Sequence, residues 1–466
     1  MNKVPRRPKT SKRRHVDAKK RRGVQGETQK VIDQGIIALV IQVIGQALRE
    51  EVTRLLGRAK GQRRDLADRT VVEACCNRCG TQHRGEFYRA GFYLRGLLSL
   101  TAWGQIRVPR VSCSRCGGMV DFEFVHLVPY GRLWFDLEER ARELAAMCVS
   151  LRDGVRVLSW ASGQPVSIAT LNGVVNRAGE LAKAFHGGVL ERIPAVVMLD
   201  GVWLKVLEPT GEKFIDKKGR ERERLKVRKF PLLVAYGADP VTGERWVLDW
   251  EKGREEDLES WRTLLVRLRD RGLSERGGLR LFVHDGALGL GKALEVVYFG
   301  DGVGHQRCVF HKLANVRRDV AGEEGMSAKE RSRRRSEVLS DAARVYQGKD
   351  EGEIRQRLGE FRAKWQAREP RAVATLERDF ESTLVYLGVA AKARRRGEEW
   401  KVECLRTTSP LERVQRHFRQ KGRQAVIFHS DRGIDAAVQL VIAHHHLADQ
   451  STEFWGRQLE EALLAA

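Results

Sequence analysis

Acidic residues are scarce in this 466-residue chain relative to basic ones: 61 Asp and Glu stand against 85 Lys and Arg, a formal net charge of +24. A surplus of that size, clustered rather than spread, favours a polyanionic partner over a merely well-solvated surface, and nucleic acid is the commonest such partner. The opening stretch MNKVPRRPKTSKRRHVDAKKRRG holds almost no acid and too few apolar side chains to fold alone. Residues 1–34 are therefore expected to be a disordered basic arm that contacts phosphate.

Long apolar runs are missing too. The run GIIALVIQVIGQAL, Gly35 to Leu48, is broken by Gln42 and Gln46 and is too short to span a bilayer. It reads as a packing or dimerising helix. No apolar segment directly follows the N-terminal charges, as a signal peptide requires, so a cytoplasmic, nucleoid-associated location is expected. A disulfide framework is also lacking. Of 8 cysteines, four form two C-x-x-C pairs and the rest are scattered, which suits a reducing compartment and metal binding. No internal repeat is present.

What the chain does contain falls into blocks. Residues 35–70 read as helix, 71–128 as short strands and turns around the cysteines, and 134–190 as helix again. From Ile193 the pattern becomes α/β. The strand AVVMLDGVWLKV comes first. Next is FPLLVAYGADPVTGERWVLDW, with a hairpin signal at Asp239-Pro240-Val241-Thr242-Gly243 between two apolar runs. The helix EEDLESWRTLLVRLRDRG and the strand LRLFVHD follow, then a short apolar helix and a further strand carrying Cys308 and His311. Residues 312–403 are charged and helical. TTSPLERVQRHFRQKG then reads as a capped helix, and an apolar helix lies around Ala436 to Leu447. Three antiparallel strands followed by alternating helix and strand is the order of a ribonuclease-H-like α/β core. It would span 193–311 and 404–450, with 312–403 as an all-helical insertion.

Three acids in that core invite a metal. Asp200 lies inside an apolar strand, where a carboxylate is costly unless paired or metal-bound; the alternative is a strand end turning at Gly201. Asp285 ends the strand LRLFVHD, where reacting groups of open α/β sheets collect, but Asp-Gly is also a common turn start. Glu412 lies in Ser409-Pro410-Leu411-Glu412, which reads equally as a capping box with Pro at the first helical position.

Two further modules precede the core. Cys76-x-x-Cys79-Gly and Cys113-x-x-Cys116-Gly are knuckles that suit tetrahedral Zn²⁺, with ribbon strands between them; the alternative is coincidental buried thiols. Cys75 reads as a bystander. Arg78, Arg107, Arg110 and Arg115 would let such a ribbon touch DNA. Leu151 to Ala184 reads helix, turn, helix, with Ser167 capping the second helix. In a helix-turn-helix, Thr170, Asn172 and Asn176 would read base edges and Arg177 would hold phosphate; the alternative is a hairpin packed on the core. Trp365 and Trp400 either stack on an extruded base or fill the core of the insertion.

The segments VVMLDGVWLKV, VHDGALGLGKAL, HQRCVFHKLANV and RTTSPLERVQRHFR, in that order, resemble the Mutator-like superfamily of DDE transposases in its bacterial insertion-sequence branch. The likeness covers roughly Arg142 to Ala443. Ser409 stands where the family usually has Asn, and the loop GEKFIDKKGRERERLKVRK between the first two strands is longer and more basic than the family's. The resemblance implies that Asp200, Asp285 and Glu412 are catalytic acids holding Mg²⁺ or Mn²⁺. Phosphoryl transfer then needs two ions roughly 4 Å apart, flanking the attacking and leaving oxygens. Cys308 and His311 resemble the family's C-x-x-H pair. That pair is either half of a zinc site, or packs beside the acids and orients them, or contacts DNA through His311.

The implied function is a transposase that cleaves its element's double-stranded DNA ends and joins the 3′-hydroxyls to target DNA, acting as at least a dimer. A catalytically silent DNA-binding relative and a same-fold nuclease without strand transfer are the competing readings.

Overall fold

The computed structural model describes residues 18–98, 103–125, 127, 135–425 and 427–446. The chain forms two compact units, Met1–Ala141 with Arg152–Leu171, and Arg142–Leu151 with Asn172–Ala466. The boundary passes through the 134–190 block that the sequence pattern sets apart as one helical region.

In the first unit, helix α1 spans Ala18–Leu56. It begins inside the stretch expected to be a disordered arm; residues 1–17 of that arm lie outside the described residues. Ile44, Leu48, Val52 and Leu56 recur every fourth residue and are buried, which gives the helix one apolar stripe. Leu39 and Val43 of the apolar run are exposed instead. The short strands β1 (Cys75–Cys76) and β4 (Val120–Asp121) pair with each other, as do the longer β2 (Phe87–Leu98) and β3 (Trp103–Cys113). The stripe of α1 packs on this ribbon through Leu97, Ile106, Val108, Phe87 and Val111. Helix α3 (Leu151–Ser162) follows, while α2 (Phe135–Ala146) and α4 (Ile168–Arg177) each run across the boundary.

In the second unit, after α5 (Glu180–Gly187), come β5 (Val196–Ile215), β6 (Glu221–Ala238) and β7 (Arg245–Lys252). Helix α6 (Leu258–Asp270), β8 (Leu281–His284), α7 (Leu288–Val297) and β9 (Gly304–Arg307) complete a five-stranded sheet of order β7-β6-β5-β8-β9. The first three strands are antiparallel; β8 and β9 run parallel to β5. The hairpin predicted at Asp239 forms as expected. The Asp239 carboxylate accepts from the N–H groups of Val241 and Thr242, and Gly243 supplies a φ of +84°.

The central strands are continuous apolar runs because both faces of the sheet are covered. On one face Val197, Leu199 and Phe282 meet Trp261, Leu264, Leu265 and Leu268 of α6 and Leu290 and Leu294 of α7. Each such side chain contributes roughly 1.5–3 kcal/mol by leaving water. Asp257 caps α6 by accepting from the N–H of Ser260 at 2.9 Å. On the other face Val196, Met198, Val202 and Leu204 meet the later helices. These are α8 (Val309–Arg318), α9 (Ala328–Val345), α10 (Glu351–Trp365), α11 (Pro370–Glu377), α12 (Val385–Arg395), α13 (Glu403–Arg406), α14 (Ser409–Ala425) and α15 (Asp431–His446). Trp365 is buried among them, its indole N–H bound to Asp341 at 3.0 Å, so it fills a core rather than offering a stacking face. Trp400 is partly buried against the same cluster.

The basic segment between the first two core strands is not a loop. Both strands run on as an exposed two-stranded ribbon and turn only at Asp216, whose carboxylate accepts from the N–H groups of Lys218 and Arg220. Among the described residues, no helix is long and apolar enough to cross a membrane.

Candidate active site

Asp200 sits within β5, paired with Val234 of β6. The strand continues to Ile215, so Asp200-Gly201 does not start a turn. Asp285 follows the last residue of β8. Leu199 and His284 are the last register partners on the adjoining parallel strands, and Asp200 and Asp285 are the next residues along each chain. The turn role of Asp285 is real as well: its Oδ1 accepts from the N–H of Ala287 at 2.8 Å, and Gly286 has a φ of +86°. Burial pushes the Asp200 carboxyl up to about 6; His311 pulls it down and the charge of Asp285 adds to the rise.

Glu412 lies in the first turn of α14, and that helix packs on β5. One turn later, Gln415 donates to the carbonyl of Gly201 at 3.3 Å. The expected capping box is absent. Ser409 is the first helical residue, not the cap, and no hydrogen bond joins Ser409 and Glu412 among the described residues. The Thr408 carbonyl instead takes the N–H of Glu412. That leaves Glu412 Oε1 buried without a hydrogen-bond partner, 4.0 Å from Nε2 of His311.

Cys308 and His311 are not on a strand, as the sequence pattern suggested. β9 ends at Arg307, Cys308 is the cap residue of α8, and His311 stands in that helix's first turn. Cys308 is fully buried and bonds to the elements that carry Asp285 and Glu412. Its N–H donates to the carbonyl of His284, the residue before Asp285, at 2.7 Å. Its sulfur accepts the N–H and the hydroxyl of Thr408, four residues before Glu412. Burial works against a charged His311, but hydrogen bonding and charge from Cys308, with Asp200 and Asp285, raise its imidazole to about 9.

A fourth carboxylate, Glu256, stands beside these acids. Burial and the charge of Asp285 raise it, while a hydrogen bond from the Trp203 side chain opposes the rise. A Cβ on Gly201 would lie 2.6 Å from its Oε1, so the glycine makes room for it. Nothing in the sequence marks Glu256, since it precedes an ordinary helix cap in an acidic run.

The sulfurs of Cys76, Cys79, Cys113 and Cys116 all lie within 4.8 Å of one another; among the described residues this is the group gathered tightly enough to hold a metal ion. The three acids and His311 are not drawn together to that degree. The knuckles are near-identical. Gly80 and Gly117 both have a φ of +69°, and their N–H groups return to the carbonyls of Cys76 and Cys113 at 2.9 Å. N–H donors from Cys79 and Arg78 pull the Cys76 thiol down to about 6. Cys75 lies outside the cluster. Arg107 and Arg110 lie over Phe92 and Tyr93, and Arg78 donates to the Cys116 carbonyl at 3.1 Å.

Ser167 caps α4 as expected, accepting from the N–H of Thr170 at 3.0 Å. The Thr170 hydroxyl is bound to Ser167 in turn, so it serves the cap. Asn172 is exposed; Asn176 and Arg177 are partly buried.

Comparison with known proteins identifies the family of the chain. The family model described as Transposase, Mutator family matches residues 12–451, more of the chain than the four motif segments span. The transposase for insertion sequence element ISRM5 of Rhizobium meliloti (strain 1021) is 26% identical over 421 residues, 90% of this chain and 88% of that one. The transposase for insertion sequence element IS905 of Lactococcus lactis subsp. lactis (strain IL1403) is 26% identical over 289 residues, 62% of this chain and 64% of its own length. Among solved structures, the Drosophila P element transposase strand transfer complex aligns with a TM-score of 0.39 at 9% identity, over 66% of this chain and 92% of that one. With the family match running nearly end to end over both cysteine knuckles and all three acids, the chain belongs to the Mutator family of transposases.

Proposed function

We propose that this transposase cleaves the ends of its element and joins the 3′-hydroxyls to target DNA in a ribonuclease-H-like core, with Asp200, Asp285 and Glu412 as catalytic acids. The observation that carries the reading is Asp200 on β5 with Asp285 just past the end of the neighbouring parallel strand β8, and with α14 carrying Glu412 to within 4.0 Å of His311. The donor set fits Mg²⁺ or Mn²⁺, which prefer carboxylate oxygen. Glu412 Oε1 is a buried acceptor without a partner, and a cation would offset the repulsion between the charges of Asp200 and Asp285. When bound, divalent ions would supply Lewis acidity at the attacking and leaving oxygens of the phosphate.

The chain's own residues do the positioning. Cys308 ties the end of β8 to the start of α14, which fixes Asp285 and Glu412 relative to each other. Protonated His311 offsets part of the negative charge of the acids, so a DNA phosphate can approach. Gln415 holds α14 against β5 at Gly201. The helices between α8 and α14 form the insertion between the second and third acids. In the first unit, Zn²⁺ at Cys76, Cys79, Cys113 and Cys116 would be structural, since four thiolates leave no open position. Asn172, Asn176 and Arg177 of α4 contact duplex DNA, and synapsis of two ends requires at least a dimer. Radiolabelled element ends, incubated with Mg²⁺ and a target plasmid, test the reading: joined product is expected, cleavage without joining indicates a nuclease, and binding without cleavage a silent relative.

A further inference from the structure

Lys205 of β5 and Lys229 of β6 are directly opposite in the antiparallel register. Such partners project from the same face with Cβ atoms about 5 Å apart, and like charges so placed repel. Four other cations of β5 and β6 have a carboxylate partner. Lys213 pairs with Glu221, Arg222 with Asp216, Arg224 with Glu212 and Arg228 with Glu208, while Lys226 has Glu208 as its register partner. Lys205 and Lys229 form the one like-charged couple in the described β5–β6 register, and neither makes an ion pair among the described residues. The fold therefore sets two exposed lysines opposite each other, neither with an ion-pair partner among the described residues.

Trp203 stands two residues before Lys205 and so on the same face of the strand. It is 50% exposed, although Val202 and Leu204 on either side are buried. Trp203, Leu204, Lys205 and Lys229 line a shallow open cavity of about 490 Å³. Trp203 lies about 10 Å along β5 from Asp200, by the rise of a strand, and on the opposite face of that strand, with Lys205 two residues farther along. The Trp203 side chain also reaches Glu256, beside Asp285. A flat indole next to two uncompensated cations matches one ligand chemistry, a base with its phosphate. Duplex DNA hides its base faces in the stack, so the fitting ligand is an unpaired nucleotide.

We propose that Trp203, Lys205 and Lys229 form a subsite for an unpaired DNA nucleotide on the Trp203 face of β5, beside Glu256, with the base on the indole and the phosphate between the two lysines. The cleaved end would thus be held frayed, in a single-stranded state over one or two nucleotides. This rests on the reading of Asp200, Asp285 and Glu412 as the cleavage site, but its test needs no cleavage.

The test uses the full chain carrying Asp285→Asn, so that DNA stays intact. Binding of a duplex with a three-nucleotide single-stranded overhang is compared with binding of the blunt duplex. The parent is expected to prefer the overhang. Trp203→Ala should remove about a tenfold preference and Trp203→Phe should restore most of it, since stacking needs only an aromatic face. Lys205→Gln with Lys229→Gln should lower the salt dependence of overhang binding by about 0.7 in log-log slope for the one phosphate released. In DNA-free protein, Lys229→Gln should raise the thermal midpoint by removing the repulsion; a fall would overturn the claim that the pair is uncompensated. Equal overhang preference in the parent and in Trp203→Ala would overturn the subsite. Failure of the acid-site reading would show separately, as cleavage that survives Asp200→Asn.

Discussion

The sulfur of Cys308 accepts both the backbone N–H and the hydroxyl of Thr408, at 3.2 and 3.3 Å, and so joins the start of α8 to the start of α14. Since the N–H of Cys308 also holds the carbonyl of His284, one buried side chain links the elements that carry Asp285 and Glu412. Cys308→Ala removes two hydrogen bonds, and a stability loss of about 1–2 kcal/mol is expected from denaturant unfolding. Cleavage rate should fall further than DNA affinity, because the acids lose their spacing while the DNA surface is untouched. Equal losses in both would mean that Cys308 only fills space.

Asp200 gives a pH prediction. Its carboxyl sits near 6 in the folded chain against an ordinary 3.8, so the folded state holds this proton more tightly. The resulting stability is present below pH 3.8 and is lost as pH rises through 6. Above that, ionised Asp200 costs folding roughly 1–3 kcal/mol when no divalent ion is present. Asp200→Asn should therefore melt higher than wild type at pH 8 without Mg²⁺, and the gap should close near pH 4. Added Mg²⁺ should raise the wild-type midpoint and leave the variant's unchanged.

His311 gives a window at higher pH. Its imidazole is raised from an ordinary 6.5 to about 9, so its charge stabilises the fold fully below 6.5, and that contribution is lost as pH rises through 9. His311→Gln should lose roughly 1–3 kcal/mol at pH 7 and match wild type near pH 10. A pH-independent difference would show that the ring acts through packing alone.

The cysteine cluster predicts a metal count. Purified protein should hold one zinc per chain, and Cys76→Ser or Cys113→Ser should each abolish it. Gly118→Ala should weaken zinc retention too, because its Cβ would fall 2.9 Å from the sulfur of Cys76. A metal content unchanged by Cys113→Ser would refute the assignment.

The legible parts of the fold were those written in local pattern. The apolar runs of β5, β6 and β8 announce a sheet buried on both faces, and Asp200 stands out because a charge interrupts one of them. The two C-x-x-C-Gly knuckles carry their geometry in five residues each. Glu412 was harder to read, because Ser-Pro-Leu-Glu is also a cap signal. Only the tertiary contact of Thr408 with Cys308 shows why the glutamate is left without a partner. The ribbon beyond Leu207 reads as a loop because charges occupy both of its faces and erase the alternation of a strand. Glu256 was invisible, since its place depends on Gly289 of α7 packing on its backbone, where a Cβ would meet the Glu256 carbonyl at 2.8 Å.

The central claim is that Asp200, Asp285 and Glu412 act together on DNA phosphate. The direct measurement is Mg²⁺-dependent cleavage and joining of a labelled element end by Asp200→Asn, Asp285→Asn and Glu412→Gln, with DNA affinity measured on the same preparations. Each variant is expected to bind the end with an affinity close to wild type and to lose cleavage and joining by at least about a thousandfold, the order seen when a group acting at the transition state is removed. Cleavage that persists in any one of the three would contradict the account.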